Sequence, residues 1–186
     1  HTLVWSQIVP DLRWELSSKS IIREYDTQTG KIRNLTRGTR YFNPSFSPDT
    51  TMMAVTEYPV EGGSSLVILD AASGNEIMRA AAPENGQIKG SVWVGSKVYA
   101  DAITEKGWGL YSKNIDDMDA SWSQEIAPQS RSIVNLRTIG PNIIFETDLD
   151  GVTNIYSYNP ATAALHKLTN ARYGVFYPYF DATTNR

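Results

Sequence analysis

With 186 residues, a formal charge of -3, a pI near 5.4 and no cysteine, the chain can bury the core of one domain and has neither disulfides nor thiolate metal sites. An acidic balance lacks the basic footprint of a nucleic-acid binder, and the longest apolar runs are far too short to span a bilayer. The first residue is His1, with no signal-like segment, so the chain reads as a processed or excised piece.

Taken in order, the chain predicts strand after strand. Val4 and Trp5 open one, and a long charged connection over 10–19 follows. Strands are then predicted at 20–25 and 31–35. The stretch 41–70 is the clearest. An apolar strand there closes at Ser47-Pro48-Asp49, a second covers 52–58, Gly62-Gly63 turns the chain, and a third ends at Asp70. Proline and glycine punctuate runs rich in Val, Ile, Phe and Tyr, as in a β-meander. Further strands are predicted at 98–103 and 143–147. No window sustains i, i+3, i+4, i+7 apolar spacing, so no helix longer than a turn is expected.

The meander repeats. Ile21-Ile22-Arg23-Glu24-Tyr25-Asp26 is followed by Thr29-Gly30, and Leu69-Asp70 by Ser73-Gly74. Asp26 to Asp70 is 44 residues, Asn114 lies another 44 on, and Asn159 a further 45. A second marker shares the phase. Leu35-Thr36 precedes Arg40-Tyr41-Phe42-Asn43-Pro44, and Leu168-Thr169 precedes Arg172-Tyr173 and Phe176-Tyr177-Pro178. The third copy is degenerate, with Trp93 at about the place of Phe46.

A period of 44–45 with four short strands per unit is propeller spacing. The predicted fold is all-β: a β-propeller of four-stranded antiparallel blades, about four of them. Blades are expected at about 1–36, 42–82, 88–127 and 133–169, with 173–186 giving the first strand of a further or closing blade. A lone sheet leaves both apolar faces uncovered, so neighbouring blades must bury them. Phe46, Trp93, Tyr156 and Phe180 are expected between blades. The first blade lacks its first strand, so either the last segment closes a four-bladed ring or the chain is an arc of a larger ring. The arc is the reading taken, because the aromatic-rich ends look like buried blade faces. It implies self-association through open blade faces.

These residues resemble the TolB-like, WD40-like propeller repeat. Pro44, Phe46 and Ser47-Pro48-Asp49 match the start of its unit. Thr147-Asp148-Leu149-Asp150-Gly151, Asn154-Ile155-Tyr156 and Leu168-Thr169 match its middle and end. One departure is Thr50 in place of the usual glycine, so that turn has no cost-free positive φ. The resemblance covers nearly the whole chain and implies the fold. Such blades serve unrelated roles, among them cell-envelope binding proteins and the gating domain of prolyl-oligopeptidase-like peptidases. It implies a periplasmic or cell-envelope scaffold that contacts a protein partner, a peptide or a small anionic ligand. The alternative is the accessory propeller of a serine peptidase.

No catalytic residue is assigned. The nearest approach to a nucleophile elbow, Gly62-Gly63-Ser64-Ser65, lies in a hairpin turn. Of two histidines, His1 is terminal and His166 sits on an alternating strand, which reads as a surface position. No metal site or cofactor is expected: Asp148-Leu149-Asp150-Gly151 looks like the start of a calcium loop, but Asn159 stands where the bidentate glutamate belongs, and a tight hairpin turn explains the same residues. Two candidate binding sites remain. Arg13 and Trp14, on the 10–19 connection, make a contact patch unless Trp14 folds back over an outer strand. Arg37, Arg40 and Arg172, on inter-blade connections, line the funnel for an anionic ligand unless they bridge neighbouring blades.

Overall fold

A computed structural model describes residues 1–14 and 17–179. Among them fifteen strands form, all paired antiparallel. The first sheet has the order β1 (Thr2–Val9), β2 (Lys19–Asp26), β3 (Ile32–Asn34). The second runs β4 (Tyr41–Phe46), β5 (Met52–Glu57), β6 (Ser65–Asp70), β7 (Glu76–Ala81). The third runs β8 (Gln87–Val94), β9 (Lys97–Thr104), β10 (Gly107–Asn114), β11 (Ser123–Gln129). The fourth is β12 (Val134–Ile139), β13 (Asn142–Thr147), β14 (Asn154–Asn159), β15 (Ala164–Lys167). These are the blades of a β-propeller, stacked in chain order through β4, β8 and β12. The first blade has three strands among the described residues, and β1 is its edge.

The repeated markers are turn and ladder chemistry. Asp26 Oδ1 accepts the N–H of Gln28 at 2.8 Å. Asp70 Oδ1 accepts that of Ser73 at 2.7 Å, and Asn159 Oδ1 that of Ala161 at 3.0 Å. Each is an Asx turn ending a third strand, which is why Asp or Asn recurs there. The Leu-Thr pair stitches the fourth strand to the third. Thr36 Oγ1 accepts the Ile22 N–H and Thr169 Oγ1 the Ile155 N–H, both at 2.9 Å. The Leu35 and Leu168 N–H groups donate to the carbonyls of the same two residues, at 2.8 Å.

Burial follows strand alternation on both faces. On one face of blade two, Met53, Val55, Val67 and Leu69 pack with Ile22 and Leu35 of blade one. The opposite face packs Ala54, Leu66 and Ile68 against Ile88, Trp93, Val98 and Tyr111 of blade three. Val92, Tyr99 and Leu110 then meet Ile143, Phe145, Tyr156 and Tyr158 of blade four. Each fully buried Leu or Ile contributes about 1.5–3 kcal/mol, so blade contacts hold the stack together. Trp93 and Tyr156 are buried as expected, and the Trp93 indole N–H donates to Ser45 O at 3.0 Å across the blade boundary. Phe46 is half-buried and packs at the first boundary. Phe180 and the residues after it lie outside the described residues.

The segment 171–179 has no β-ladder among the described residues. It lies along blade four, with the Val175 N–H on Thr153 O at 3.0 Å. Tyr177 has φ +54, in the same left-handed region as Asn43 (+52) and Asn135 (+58). Those two residues sit at the bulges of β4 and β12. Tyr177 therefore carries the local shape of a first strand without a partner strand beside it.

Candidate functional site

The residues singled out from sequence occupy separate places. Arg13 and Trp14 are exposed, and their N–H groups both donate to Asp11 Oδ1 at 2.8 Å. Trp14 keeps 63% of its surface in solvent, with the Arg13 guanidinium 5.8 Å from its ring centroid. Arg40 is an inter-blade staple. Its Nε donates to Tyr58 O at 2.5 Å and its Nη1 to Ser18 O at 2.7 Å. Arg37 is exposed, and Arg172 stacks over Tyr173 at 5.2 Å. His166 is exposed on β15. Asp148 accepts the Ser132 N–H at 3.0 Å, and Asp150 accepts Lys167 Nζ at 2.6 Å, so both carboxylates brace the hairpin.

A different set of residues forms a cavity of about 680 Å³, walled by β4, β8 and β12 with Trp108 of β10 behind. The first strands make room for it. β4 and β12 bulge at Asn43 and Asn135, and the register of β8 shifts between Ile88 and Gly90. Bulges bend a strand and re-aim its side chains. Lys89 and Arg137 bring two cations to the walls, while Asn43, Ser45, Ser91, Asn135 and Thr138 bring polar groups.

Asp101 stands at the cavity's base. It is one of a column of equivalent second-strand residues, Thr56, Asp101 and Glu146, spaced 45 and 45 residues apart. They pair with Leu66, Leu110 and Ile155 of the third strands. All three are buried, Asp101 to 1% exposure and Glu146 to 2%. Glu146 Oε1 accepts the Tyr177 N–H at 2.6 Å. Asp101 is one methylene shorter, and its Oδ1 has no hydrogen-bond partner. A Cβ on Gly90 would come within 3.3 Å of that oxygen, so glycine lets the carboxylate sit against the strand.

Burial pushes the Asp101 carboxyl up to about 7, against the lowering pull of the Asp101 and Gly90 N–H groups and of Lys89. Tyr58, whose hydroxyl donates to Ile88 O at 2.6 Å, is pushed up to about 12 by burial and by Asp101. Buried polar groups are nearly always hydrogen-bonded, and the carboxylate with the orphaned oxygen belongs to a residue that lines a polar cavity. Sequence reading missed this column. The signal was a polar residue at the same step of each second strand.

No protein-family model matches the sequence, and no curated protein does. Solved structures do. TolB from Acinetobacter baumannii aligns at TM-score 0.64 with 15% identity, over 91% of this chain and 41% of that one. A puromycin-hydrolyzing peptidase of Mycobacterium tuberculosis aligns at 0.63 with 12% identity, over 92% and 29%. The β-propeller domain of the Trilobed protease from Pyrococcus furiosus, titled as having an open velcro topology, aligns at 0.58 with 12% identity, over 91% and 54%. The fold is therefore that of the TolB and peptidase propellers, and the chain spans less than two thirds of each of these proteins.

Proposed function

We propose that the chain is a non-catalytic, TolB-like propeller scaffold, part of a larger periplasmic or cell-envelope protein, that binds a protein partner or a small ligand. The observation that carries this reading is the cavity where the first strands of three blades meet, with Lys89, Arg137 and Asp101 on its surface. Arg13 and Trp14 supply a second, outward contact patch on a loop. Arg40 contributes by fixing blade one to blade two, Arg37 lies on that same connection, and Arg172 follows blade four.

The test has two parts. The purified chain is expected to turn over neither peptides nor esters. Turnover that vanished in His166→Ala would overturn the non-catalytic reading. A photo-crosslinker at Asn135, on the cavity wall, is expected to capture the same partner as one at Trp14 or a different one, and one at Gln28, on an outer turn, to capture none. Capture at Gln28 alone would place binding elsewhere and refute the assignment.

The alternative is the accessory propeller of a serine peptidase, and the peptidase neighbours favour it. A Gly-x-Ser-x-Gly elbow with later Asp and His in the parent gene would establish it.

A further inference from the structure

The charges around the cavity do not satisfy one another. Asp101 is the one acidic residue on its lining, and Oδ1 is buried without a partner. Lys89 of β8 and Arg137 of β12 line the same space. Arg137 uses Nη1 on the Leu136 carbonyl at 2.8 Å, and among the described residues neither cation is in a salt bridge. In blade four the equivalent carboxylate reaches the backbone N–H of Tyr177. In blade three the side chain is shorter, and a cavity opens beside it in place of that bond.

We propose that this cavity binds a small amino-dicarboxylic acid, its ammonium group on the Asp101 carboxylate and its carboxylates on Lys89 and Arg137. An ionised carboxylate only accepts, so Oδ1 requires a donor, and an ammonium carries three. A simple anion would face Lys89 and Arg137 favourably but would repel Asp101. A simple amine would satisfy Asp101 and leave both cations without a counter-charge. One ammonium with two carboxylates matches one acid with two bases, and charge-assisted bonds of this kind are the strong ones. A cavity of about 680 Å³ is of ordinary ligand-site size. This rests on the binding-scaffold reading and names the ligand chemistry of that same cavity.

The site is linked to protons. The groups facing Asp101 are Lys89 from β8, Arg137 across the cavity on β12, and the Tyr58 hydroxyl beyond β5. Tyr58, raised to about 12, stays neutral between pH 6 and 8. Asp101 changes charge there, with its carboxyl raised to about 7 by burial. Ammonium binding needs the ionised form, so it releases a proton below that point, and affinity rises with pH.

Titration calorimetry with L-glutamate on the intact chain tests this. Saturable binding is expected at pH 8 and about tenfold weaker binding at pH 6. Glutarate, which lacks the ammonium, and 1,5-diaminopentane, which lacks the carboxylates, are each expected to bind at least about tenfold more weakly than glutamate. Asp101→Asn, which keeps the shape, should lose binding about tenfold or more while melting cooperatively at or above the parent temperature. Asp101→Glu is a second variant: its longer arm can reach the Asn135 N–H as Glu146 reaches that of Tyr177, which would occupy the carboxylate and weaken glutamate binding in a folded protein. Three results would overturn the proposal: no heat with about 10 mM glutamate, glutarate as tight as glutamate, or unchanged affinity in Asp101→Asn. A partner cross-linked at Asn135 alongside any of them would leave the scaffold reading standing and remove only this ligand.

Discussion

Thr50→Gly should stabilise the protein. Thr50 has φ +62, a left-handed conformation that costs an L-residue roughly 1–2 kcal/mol, with β-branched residues among the worst accommodated. The rest of the turn is bonded without its side chain. Ser47 Oγ donates to Asp49 Oδ1 at 2.6 Å and accepts the Met52 N–H at 3.0 Å. Asp49 also accepts the Thr51 N–H at 3.1 Å and the Thr51 hydroxyl at 2.8 Å. Thr50 is exposed, so removing its side chain sacrifices little packing. Glycine relieves the backbone strain, while its greater freedom in the unfolded chain takes back about 0.5–1 kcal/mol. The net gain is about 0.5–1 kcal/mol, which raises Tm by about 1–4 °C for a chain of this size. Near-UV circular dichroism melts of the parent, Thr50→Gly and Thr50→Ala measure it, the alanine variant keeping Cβ and hence most of the strain. A Thr50→Gly protein that melts at or below the parent would refute the reasoning.

Asp101 sets a pH signature. Its folded pKa, about 7, lies above the unfolded 3.8, so the folded state binds the extra proton between those values and this group's destabilisation grows as pH rises through that window. Asp101→Asn should therefore melt above the parent at pH 8, by an order-of-magnitude ceiling of about 4 kcal/mol, with the gap closing near pH 4; a gap independent of pH would contradict the assignment. Glu146→Ala removes the acceptor of the Tyr177 N–H and should loosen 171–179 by about 1–3 kcal/mol, seen as faster tryptic cleavage after Arg172; an unchanged cleavage rate would show that Thr153 suffices to hold the segment. The isolated chain should self-associate through the free edge of β1 and the exposed aromatics Tyr173, Phe176, Tyr177 and Tyr179. Light scattering at micromolar concentration should report a dimer or larger species, and a strict monomer would end that reading.

The fold was legible because each repeated letter performs a backbone task that a propeller imposes four times. An Asp or Asn accepts turn amides after every third strand, and in blades one and four a threonine stitches the last strand to its neighbour. Those demands leave period and phase in the sequence even where blade three loses its proline. The site was less legible for an equally physical reason. Arg40 reads as a funnel cation, yet its guanidinium is used on two backbone carbonyls, and composition does not reveal which oxygen a long side chain will reach. Arg37 and Arg172 share its position on the connections but do not line the cavity. Asp101 reads as one polar step in an alternating strand. What distinguishes it is a comparison between blades: threonine, aspartate and glutamate stand in equivalent buried positions, and of the two carboxylates only the longer finds a backbone partner. A propeller thus fixes its scaffold through residues that recur, and the proposed site lies where the recurrence falls one methylene short.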